Sequence, residues 1–254
     1  MSRMFKSVTE TWNVFIGCRF DCSYCNAKKA AETRFRHVTR YVDGFTPKLI
    51  ESELRRCFKP GDFIFVTYMG DIAWATREQV RIILDRIQQF PKTSFLIQSK
   101  NPRQFYLWQF QGITIPPNVV LGTTLETNRD YGLSKAPAPL VRYLEFSQIR
   151  HIRKFVSIEP IMDFDLDDFS FMLGNLHPDI IEVGADNYHN HLTEPPWSKI
   201  QALLENLRRV CPRVEEKQGL ERLKGVSRRQ GENLAQRVSR EGRENHEVRA
   251  SQSQ

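Results

Sequence analysis

The sequence predicts an α/β fold in which parallel strands alternate with helices. Short apolar runs typical of buried strands alternate six times with stretches whose apolar residues recur at helical spacing. Such alternation implies parallel strands joined by right-handed crossovers. The 254 residues, 40% of them hydrophobic, suit one barrel-like domain or two small domains. Six units are too few for an eight-stranded barrel, so the pattern favours a partial barrel, with a doubly wound open sheet as the alternative.

The strands and helices are predicted from apolar runs and their punctuation by glycine and proline. Six strands are expected, at Trp12–Ile16, Asp62–Gly70, Ser94–Lys100, Val119–Thr124, Phe155–Pro160 and Ile180–Gly184. Six helices are expected: Thr46–Phe58, one from Thr76 to about Pro91, Arg103–Phe110, Pro137–Arg150, Asp165–Leu176 and one from Pro195 to about Cys211. A short segment after Arg213 is expected to add a turn of helix beside the barrel.

The helices differ in how clearly the sequence marks their buried face. Thr76 and Gln79 resemble a capping box, and the apolar stripe that follows comprises Val80, Ile83, Leu84 and Ile87. On the helix predicted at Thr46–Phe58, Cys57 shares the apolar face and is expected to be a small core residue. On the helix predicted at Pro137–Arg150, the residues expected to face inward are Leu140, Val141 and Leu144.

Three of the five cysteines, Cys18, Cys22 and Cys25, lie within eight residues, just after an apolar run that ends at Gly17. Thiolates bind soft metal centres, and three of them leave one metal of a four-metal cluster without a protein ligand. The odd number of cysteines and the missing signal peptide speak against disulfides. A zinc site needs a fourth ligand at finger-like spacing, and the nearest candidate, His37, is too far along the chain.

This C-x3-C-x2-C spacing, with Tyr24 just before the last cysteine, resembles the radical S-adenosylmethionine (SAM) superfamily. The resemblance implies a partial (β/α)6 TIM-like barrel in which Cys18, Cys22 and Cys25 are the metal ligands and catalytic residues and hold a [4Fe-4S] cluster. In that family the fourth iron takes the amino and carboxylate groups of SAM. Electron transfer then cleaves SAM to methionine and a 5′-deoxyadenosyl radical.

The strand ends offer polar side chains to such a cofactor, because the active site of a parallel barrel lies at the carboxyl ends of its strands. Side chains alternate between faces, so Ser157 and Glu159 are expected in the lumen when Val156 faces the outer helices. The same parity places a larger set inward: Thr67, Met69, Asp71, Gln98, Lys100, Thr124, Glu126, Glu182, Gly184 and Asp186. Polar groups in a barrel are costly unless they pair with one another or with a ligand.

The family resemblance also implies which strand ends contact SAM. Its amino group would meet Met69-Gly70-Asp71, which departs from the family's G-G-E-like motif but keeps a glycine and an acid. The ribose contacts would come from Thr124 and Glu126, and the adenine contacts from near Glu159 and Gly184. The full set of expected cofactor-binding residues comprises Tyr24, Met69, Gly70, Asp71, Lys100, Thr124, Glu126, Ser157, Glu159 and Gly184. Lys100 and Glu159 could alternatively face the substrate.

Further short motifs, including Gln98-Ser-Lys-Asn-Pro102 and Ser157-x-Glu159-Pro160, resemble those of a poorly characterised branch of the superfamily that is found in phage and prokaryotic genomes. That branch has some likeness to spore photoproduct lyase, a DNA-repair enzyme. The expected function is therefore reductive cleavage of SAM to a radical that acts on a substrate. The resemblance does not fix this substrate, which could be a nucleic acid. The expected partner is an electron donor such as a flavodoxin or ferredoxin. The alternative is an iron–sulfur or zinc-bearing nucleic-acid-binding module without SAM chemistry.

Composition separates a core from a tail. Residues 1–224 are expected to form the radical SAM core domain, whereas residues 225–254 are charged, lack an apolar period and are expected to be disordered. The net charge of +7 leans only weakly toward polyanionic partners, because part of the basic excess lies at the C-terminus, where Arg213–Gln254 contain ten Lys or Arg and seven Asp or Glu. No apolar run approaches the ~20 residues of a membrane span. The first residues lack a secretory signal, so a cytoplasmic protein is expected.

Overall fold

The computed structural model describes residues 5–151 and 153–225. Within these residues, nine strands follow one another: β1 (Glu10–Trp12), β2 (Phe15–Ile16), β3 (Lys48–Leu49), β4 (Phe63–Val66), β5 (Ser94–Gln98), β6 (Val119–Thr124), β7 (Lys154–Ile158), β8 (Ile180–Val183) and β9 (Arg213–Glu216). Seven of them form one sheet in the order β1-β4-β5-β6-β7-β8-β9, and every neighbouring pair is parallel. The sheet curves into a half-barrel, which confirms the predicted partial barrel of parallel strands.

Five helices cover the convex face of this sheet: α2 (Arg77–Gln88), α3 (Arg103–Phe110), α4 (Pro139–Ser147), α5 (Leu166–Asn175) and α6 (Trp197–Val210). The first helix, α1 (Asn26–Glu32), follows the cysteines and packs through Ala31 against Ile16 and Met69 instead. The predicted capping box of α2 is present, and its stripe of Val80, Ile83, Leu84 and Ile87 is buried. Ile64, Ile97, Val156 and Ile181 belong to the same large core as these helix residues. The outward-facing apolar residues of each strand therefore bind the helices to the sheet.

The concave face carries a second, smaller core that the N-terminal segment completes. Phe5 packs against Phe65 and Phe155 with ring centroids 4.9 Å apart in each case. The buried Glu182 on β8 accepts hydrogen bonds from the backbone of Lys6 and Ser7. These contacts hold the segment before β1 inside the half-barrel, where further strands of a closed barrel would lie.

Two predicted elements near the N-terminus are wrong. The first strand of the sheet ends at Trp12, and Phe15–Ile16 pairs antiparallel with Lys48–Leu49 in a separate two-stranded sheet. The helix predicted at Thr46–Phe58 is therefore absent: β3 occupies its first turn and a 3-10 turn spans Glu51–Arg55. This tertiary pairing overrides the helical period. Cys57 is exposed and is not a core residue.

The buried face of α4 was also predicted wrongly. Leu140, Val141 and Leu144 are 52%, 42% and 52% exposed, whereas Arg142 is 3% exposed. The helix instead buries Pro139, Tyr143 and Phe146 together with Arg142, whose guanidinium reaches a buried carboxylate at the end of β6. Apolar periodicity cannot reveal a buried ion pair of this kind.

The sheet has seven strands rather than six. The segment after α6, predicted as a turn of helix beside the barrel, forms β9 and pairs with β8 through Arg213–Glu216. An edge strand exposed to solvent on one side needs no apolar alternation, so periodicity alone does not mark it. Apart from Gly225, the predicted tail lies outside the described residues. Within the described ranges, no helix combines the length and apolarity needed to cross a membrane.

Candidate functional site

A cavity of about 650 Å³ opens at the carboxyl edge of the half-barrel. The cysteine loop forms one side, and the ends of β7, β8 and β9 form the other. Ten of the site residues predicted from sequence line it: Cys18, Cys22, Tyr24, Cys25, Gly70, Asp71, Lys100, Thr124, Ser157 and Glu159. The fold thus brings the predicted thiols and most predicted strand-end polar groups to one space.

Two glycines allow the cysteine loop to lie against the end of β4. Gly17 and Gly70 form a parallel bridge, and Asp71 donates its backbone N–H to the Gly17 carbonyl. Gly17 has a φ of +83°, and a Cβ there would lie 2.3 Å from the carbonyl carbon of Thr46. A Cβ on Gly70 would lie 2.8 Å from the backbone nitrogen of Gly17. Only glycine fits at both positions.

Each of the three sulfur atoms has a hydrogen-bonding partner. The backbone N–H of Phe20 donates to Cys18 Sγ, and that of Lys28 donates to Cys25 Sγ, both at 3.4 Å. Cys25 is the N-cap of α1, so the positive end of that helix points at its sulfur. Cys22 Sγ lies 3.0 Å from Ser134 Oγ. Donors directed at sulfur stabilise bound thiolates and tune the metal they hold.

The cysteine loop is also attached to the segment that follows β6. Ser23 donates its N–H to the Leu133 carbonyl, and Lys135 donates its N–H to the Phe20 carbonyl. Asp21 accepts from the ammonium groups of Lys28 and Lys135 at 2.7 and 3.0 Å. These bonds fix the loop from two directions, so the three thiols keep their positions over the cavity.

Burial raises the pKa of two of the free thiols, Cys18 and Cys25. It raises the pKa of Cys18 to about 12, with the Asp71 carboxylate adding to the effect. Burial also raises the pKa of Cys25. A thiol in this state loses its proton when a metal takes its place, which couples metal binding to proton release.

The end of β4 uses its predicted residues mainly to build the turn. The buried Asp71 carboxylate accepts hydrogen bonds from Ala73 N, Ser99 Oγ and Lys100 N at 2.9, 2.6 and 2.9 Å. Burial raises its pKa despite these donors. Met69 is 5% exposed and packs beneath the cysteine loop with Ile16. Gly70 and Asp71 line the cavity, and Met69 supports them from below.

Beside the thiols lies a buried charge cluster, here called the Glu126 cluster and comprising Glu126, Lys100, Arg142 and Tyr24. Glu126 is fully buried, and its Oε1 receives hydrogen bonds from Lys100 Nζ and Tyr24 OH, both at 2.7 Å. Arg142 Nη2 lies 2.8 Å from Glu126 Oε2. Lys100 Nζ is 2.7 Å from Tyr24 OH and 3.8 Å from Cys22 Sγ.

The cations decide the charge state of this cluster. Burial alone would raise the pKa of Glu126, but Arg142 and Lys100 together hold it well below its ordinary value. Burial opposes the charge of Lys100, yet Glu126 raises the pKa of that ammonium well above its usual range. Burial, followed by Glu126, raises the pKa of Tyr24. The cluster therefore holds a carboxylate, two cations and a neutral phenol.

The end of β6 continues this polar layer toward the middle of the cavity. Gln98 donates from Nε2 to Thr124 Oγ1 at 2.6 Å, and both residues line the cavity. Ser157 follows on β7 and is 1% exposed. Thr124 pairs with Ser157 in the register of β6 and β7, and Gln98 pairs with Gly122, which lies two residues before Thr124 on the same face of β6, as the predicted parity requires.

On the far side, Glu159 pairs with Lys217 through a short contact between Oε2 and Nζ. Lys217 follows β9 and its ammonium lies 4.7 Å from the ring of Phe5. Burial raises the pKa of Glu159 even though Lys217 counteracts it. Gly184 lies against this side chain, since a Cβ there would be 2.7 Å from Glu159 Oε1. Gly184 thus makes room for the carboxylate.

Sequence reasoning missed Arg142 and Lys217. Arg142 looked like a solvated residue of an amphipathic helix, and Lys217 stood in a segment read as a helical turn. Neither carries a local signal, because each is brought in by a carboxylate that is distant in the chain. The acids at the predicted strand ends were the one indication in the sequence, because a buried carboxylate needs a cation to pair with it.

Three thiols that face one cavity are the donor set that a [4Fe-4S] cluster with one open iron needs. Among residues 5–151 and 153–225, no group of three or more His, Cys, Asp or Glu side chains is placed to hold a metal ion. Three thiolates on a single tetrahedral zinc would converge to about 3.8 Å from one another. A [4Fe-4S] cluster distributes its thiolates over separate irons and so accepts a wider spacing. Cys18, Cys22 and Cys25 all face the same cavity, as that arrangement needs.

The fold and family follow from comparison with known proteins. The half-barrel is shared with spore photoproduct lyase, a similarity that at 7% identity shows the fold alone. A mutant with bound AdoMet and dinucleoside spore photoproduct gives a TM-score of 0.53, a second mutant 0.55 and a complex with the dinucleoside spore photoproduct 0.51, each alignment covering 81% of this chain and 75% of the other.

Residues 4–200 match the family model described as "Protein of unknown function (DUF5131)". Because this match spans more than half of the sequence, the chain belongs to that family. No curated protein matches the sequence.

Proposed function

We propose that the chain is a radical SAM enzyme that holds a [4Fe-4S] cluster on Cys18, Cys22 and Cys25. The observation that carries the proposal is the placement of these three thiols, in C-x3-C-x2-C spacing, over a cavity at the carboxyl edge of a half-barrel. A protein of the same fold has been solved with AdoMet bound.

When bound, the cluster supplies the electron that cleaves SAM reductively to methionine and a 5′-deoxyadenosyl radical. The chain's own residues hold the cluster and exclude water from it. Phe20 is 5% exposed and lines the cavity beside Cys18. The backbone donors to Cys18 and Cys25 belong to the loop that Asp21 and its two lysines fix, so they would be in position to receive the cluster.

For SAM, the residues on the cysteine side of the cavity divide the work. Lys100 offers an ammonium to the carboxylate, and the turn at Gly70 and Asp71 offers acceptors to the amino group. Thr124 and Ser157 line the same cavity and would offer hydroxyl groups to the ribose. Glu126 is fully buried and does not face the cavity, so its contribution to SAM binding would be made through Lys100.

The substrate would occupy the far side of the cavity, between Glu159 and the loop after β8. Tyr188 is 56% exposed there and lies near Tyr68, whose pKa is raised by burial and by that neighbouring phenol. Asp186 fixes the loop by accepting from Tyr188 N and Asn190 Nδ2. Two phenol rings with amides beside them would suit a planar polar substrate, a nucleobase included. An electron donor such as a flavodoxin or ferredoxin completes the proposed set of partners.

Anaerobic reconstitution tests the proposal through metal content. We expect about four irons per chain for the unaltered protein. Cys18→Ala should lose most of the iron, because two thiolates hold such a cluster poorly. Cys57→Ala is the matched control, since Cys57 is an exposed thiol on the same protein.

The iron–sulfur absorbance should also change when SAM is added. A chain that takes up one zinc and no iron would overturn the proposal. Equal iron loss from Cys57→Ala, with the fold intact, would show that the ligand set is wrong.

A further inference from the structure

The Glu126 cluster contains more positive than negative charge, and this excess points toward a cluster thiol. One carboxylate, Glu126, faces two cations, Lys100 and Arg142. Arg142 reaches it from the helix side, where it is 3% exposed and also donates to the Thr124 carbonyl. Lys100 reaches it from the cavity side. The negative charge of the Glu126 carboxylate is therefore already compensated by Arg142 on the helix side.

Arg142 thus leaves the charge of Lys100 uncompensated. Lys100 is held at three points: Glu126 Oε1 at 2.7 Å, Tyr24 OH at 2.7 Å and the face of the Tyr24 ring at 4.4 Å. Its Nζ stands 3.8 Å from Cys22 Sγ. A flexible lysine rarely keeps one geometry without such anchors, because fixing it costs rotamer entropy.

Two neighbouring side chains bear on the charge of Lys100. Tyr24 donates its O–H to Glu126 Oε1, so it adds no negative charge. Asp71 binds the backbone N–H of Lys100, and its carboxylate is shared among Ala73 N, Ser99 Oγ and that N–H. In a buried site of reduced dielectric, one uncompensated charge a few ångströms from a metal centre acts strongly on it.

We propose that Glu126 and Arg142 are positioning residues that fix the Lys100 ammonium as a positive charge beside Cys22, and so raise the reduction potential of the bound centre. The inference rests on the proposed function, because it needs a redox centre on Cys22. Adding an electron adds negative charge, and a fixed cation nearby stabilises the reduced state. Net charge around a cluster and hydrogen bonds to its sulfurs are known determinants of potential.

Three variants separate an electrostatic role from a merely structural one. The reduction potential of the reconstituted protein would be titrated without SAM, so that no ligand charge intervenes. Lys100→Met removes the excess cation and should shift the potential to more negative values. Glu126→Gln keeps an acceptor for Lys100 and Tyr24 but removes a negative charge, so the shift should be to more positive values.

The double variant Lys100→Met/Glu126→Gln retains Arg142 alone and restores the net charge, so its potential should return toward that of the unaltered protein. Lys100→Arg, which conserves the charge, is the control. A structural role predicts loss of cluster from each variant without opposite shifts. Shifts of the same sign from the two single variants, or no shift from either, would overturn the inference.

A second measurement tests positioning without any metal. In crystal structures of the metal-free protein, Lys100 Nζ should lie beside Cys22 Sγ, and Glu126→Ala should release it from that position. An unchanged Lys100 in Glu126→Ala would overturn the positioning role. An unaltered protein that binds no iron would instead overturn the proposed function, so the two failures are distinguishable.

Discussion

The cavity carries a buried lysine–glutamate pair on each side, and the two pairs differ in charge balance. On the cysteine side, Glu126 meets both Lys100 and Arg142, and its pKa is lowered although it is fully buried. On the far side, Glu159 meets Lys217, and burial raises its pKa. Both acids end neighbouring strands of one sheet, and Glu126 and Glu159 are both largely removed from solvent.

The difference shows that a second cation, rather than burial, decides how such a carboxylate behaves. One cation offsets only part of the rise in pKa that burial causes at Glu159, and the net charge of the Glu159–Lys217 pair is close to zero. Two cations overcompensate Glu126 and leave positive charge facing the thiols. The cysteine side is therefore suited to anionic groups, and the far side to polar neutral ones.

The largest expected effect comes from removing the second cation. Arg142→Met would leave the buried Glu126 with Lys100 alone, and we expect a loss of about 3–5 kcal/mol in the free energy of unfolding. Lys217→Met is the matched change on the far side. Its cost should be only about 1–3 kcal/mol, because Glu159 can take up a proton. Chemical denaturation of both variants measures the difference, and equal losses would remove the distinction between the two pairs.

A smaller effect is expected on SAM affinity. If the Lys100 ammonium binds the SAM carboxylate, Lys100→Met should weaken the free energy of SAM binding by about 1.5–3 kcal/mol, or roughly ten- to a hundredfold in affinity. Its iron content should be unchanged. Glu126→Ala should weaken binding in the same direction by releasing Lys100. Lys217→Met should leave affinity close to that of the unaltered protein. Anaerobic equilibrium dialysis checks this, and normal affinity in Lys100→Met and Glu126→Ala would contradict it.

The two acids should also give opposite dependences of stability on pH. Glu126 has a lowered pKa, so its stabilising contribution is present above the ordinary value of 4.5 and is lost as pH falls below it. Glu159 has a raised pKa, so its contribution is present below 4.5 and is lost as pH rises through its folded value.

Unfolding of Glu126→Gln and Glu159→Gln, each compared with the unaltered protein across acid to neutral pH, would show these windows. The difference due to Glu126 should shrink toward acid, and that due to Glu159 should shrink toward neutral pH. Parallel curves for the two variants would contradict the contrast in charge balance.

The smallest expected effect is that of shortening the chain. We propose that residues 226–254 are dispensable for the cluster, because their sequence is charged and lacks an apolar pattern. A chain ending at Gly225 keeps both carboxylate pairs. Its iron content and melting temperature should match those of the full chain, and loss of iron would show that the core domain needs the tail.

Sequence reasoning located the half-barrel and the cavity because those depend on local patterns. Strand runs, the Thr76 capping box and the three cysteines are each readable within a dozen residues. The parity argument placed Gln98, Thr124 and Ser157 at one cavity for the same reason.

What sequence could not supply were partners that only the fold brings together. Arg142 and Lys217 lie 16 and 58 positions from the acids they meet, in segments read as a solvated helix face and a helical turn. The pairing of Phe15–Ile16 with Lys48–Leu49 depends on a similarly distant contact. Periodicity shows which face of a helix or strand is apolar, but it does not predict which charged side chains are buried.

The measurement that tests the central claim most directly is SAM cleavage by the reconstituted protein. Under anaerobic conditions with a strong reductant, the unaltered chain should convert SAM to methionine and 5′-deoxyadenosine, and Cys22→Ala should not. The cluster spectrum should change when SAM is added before reduction. A chain that holds about four irons yet leaves SAM intact, with a spectrum that SAM does not perturb, would contradict the assignment of radical SAM chemistry to this site.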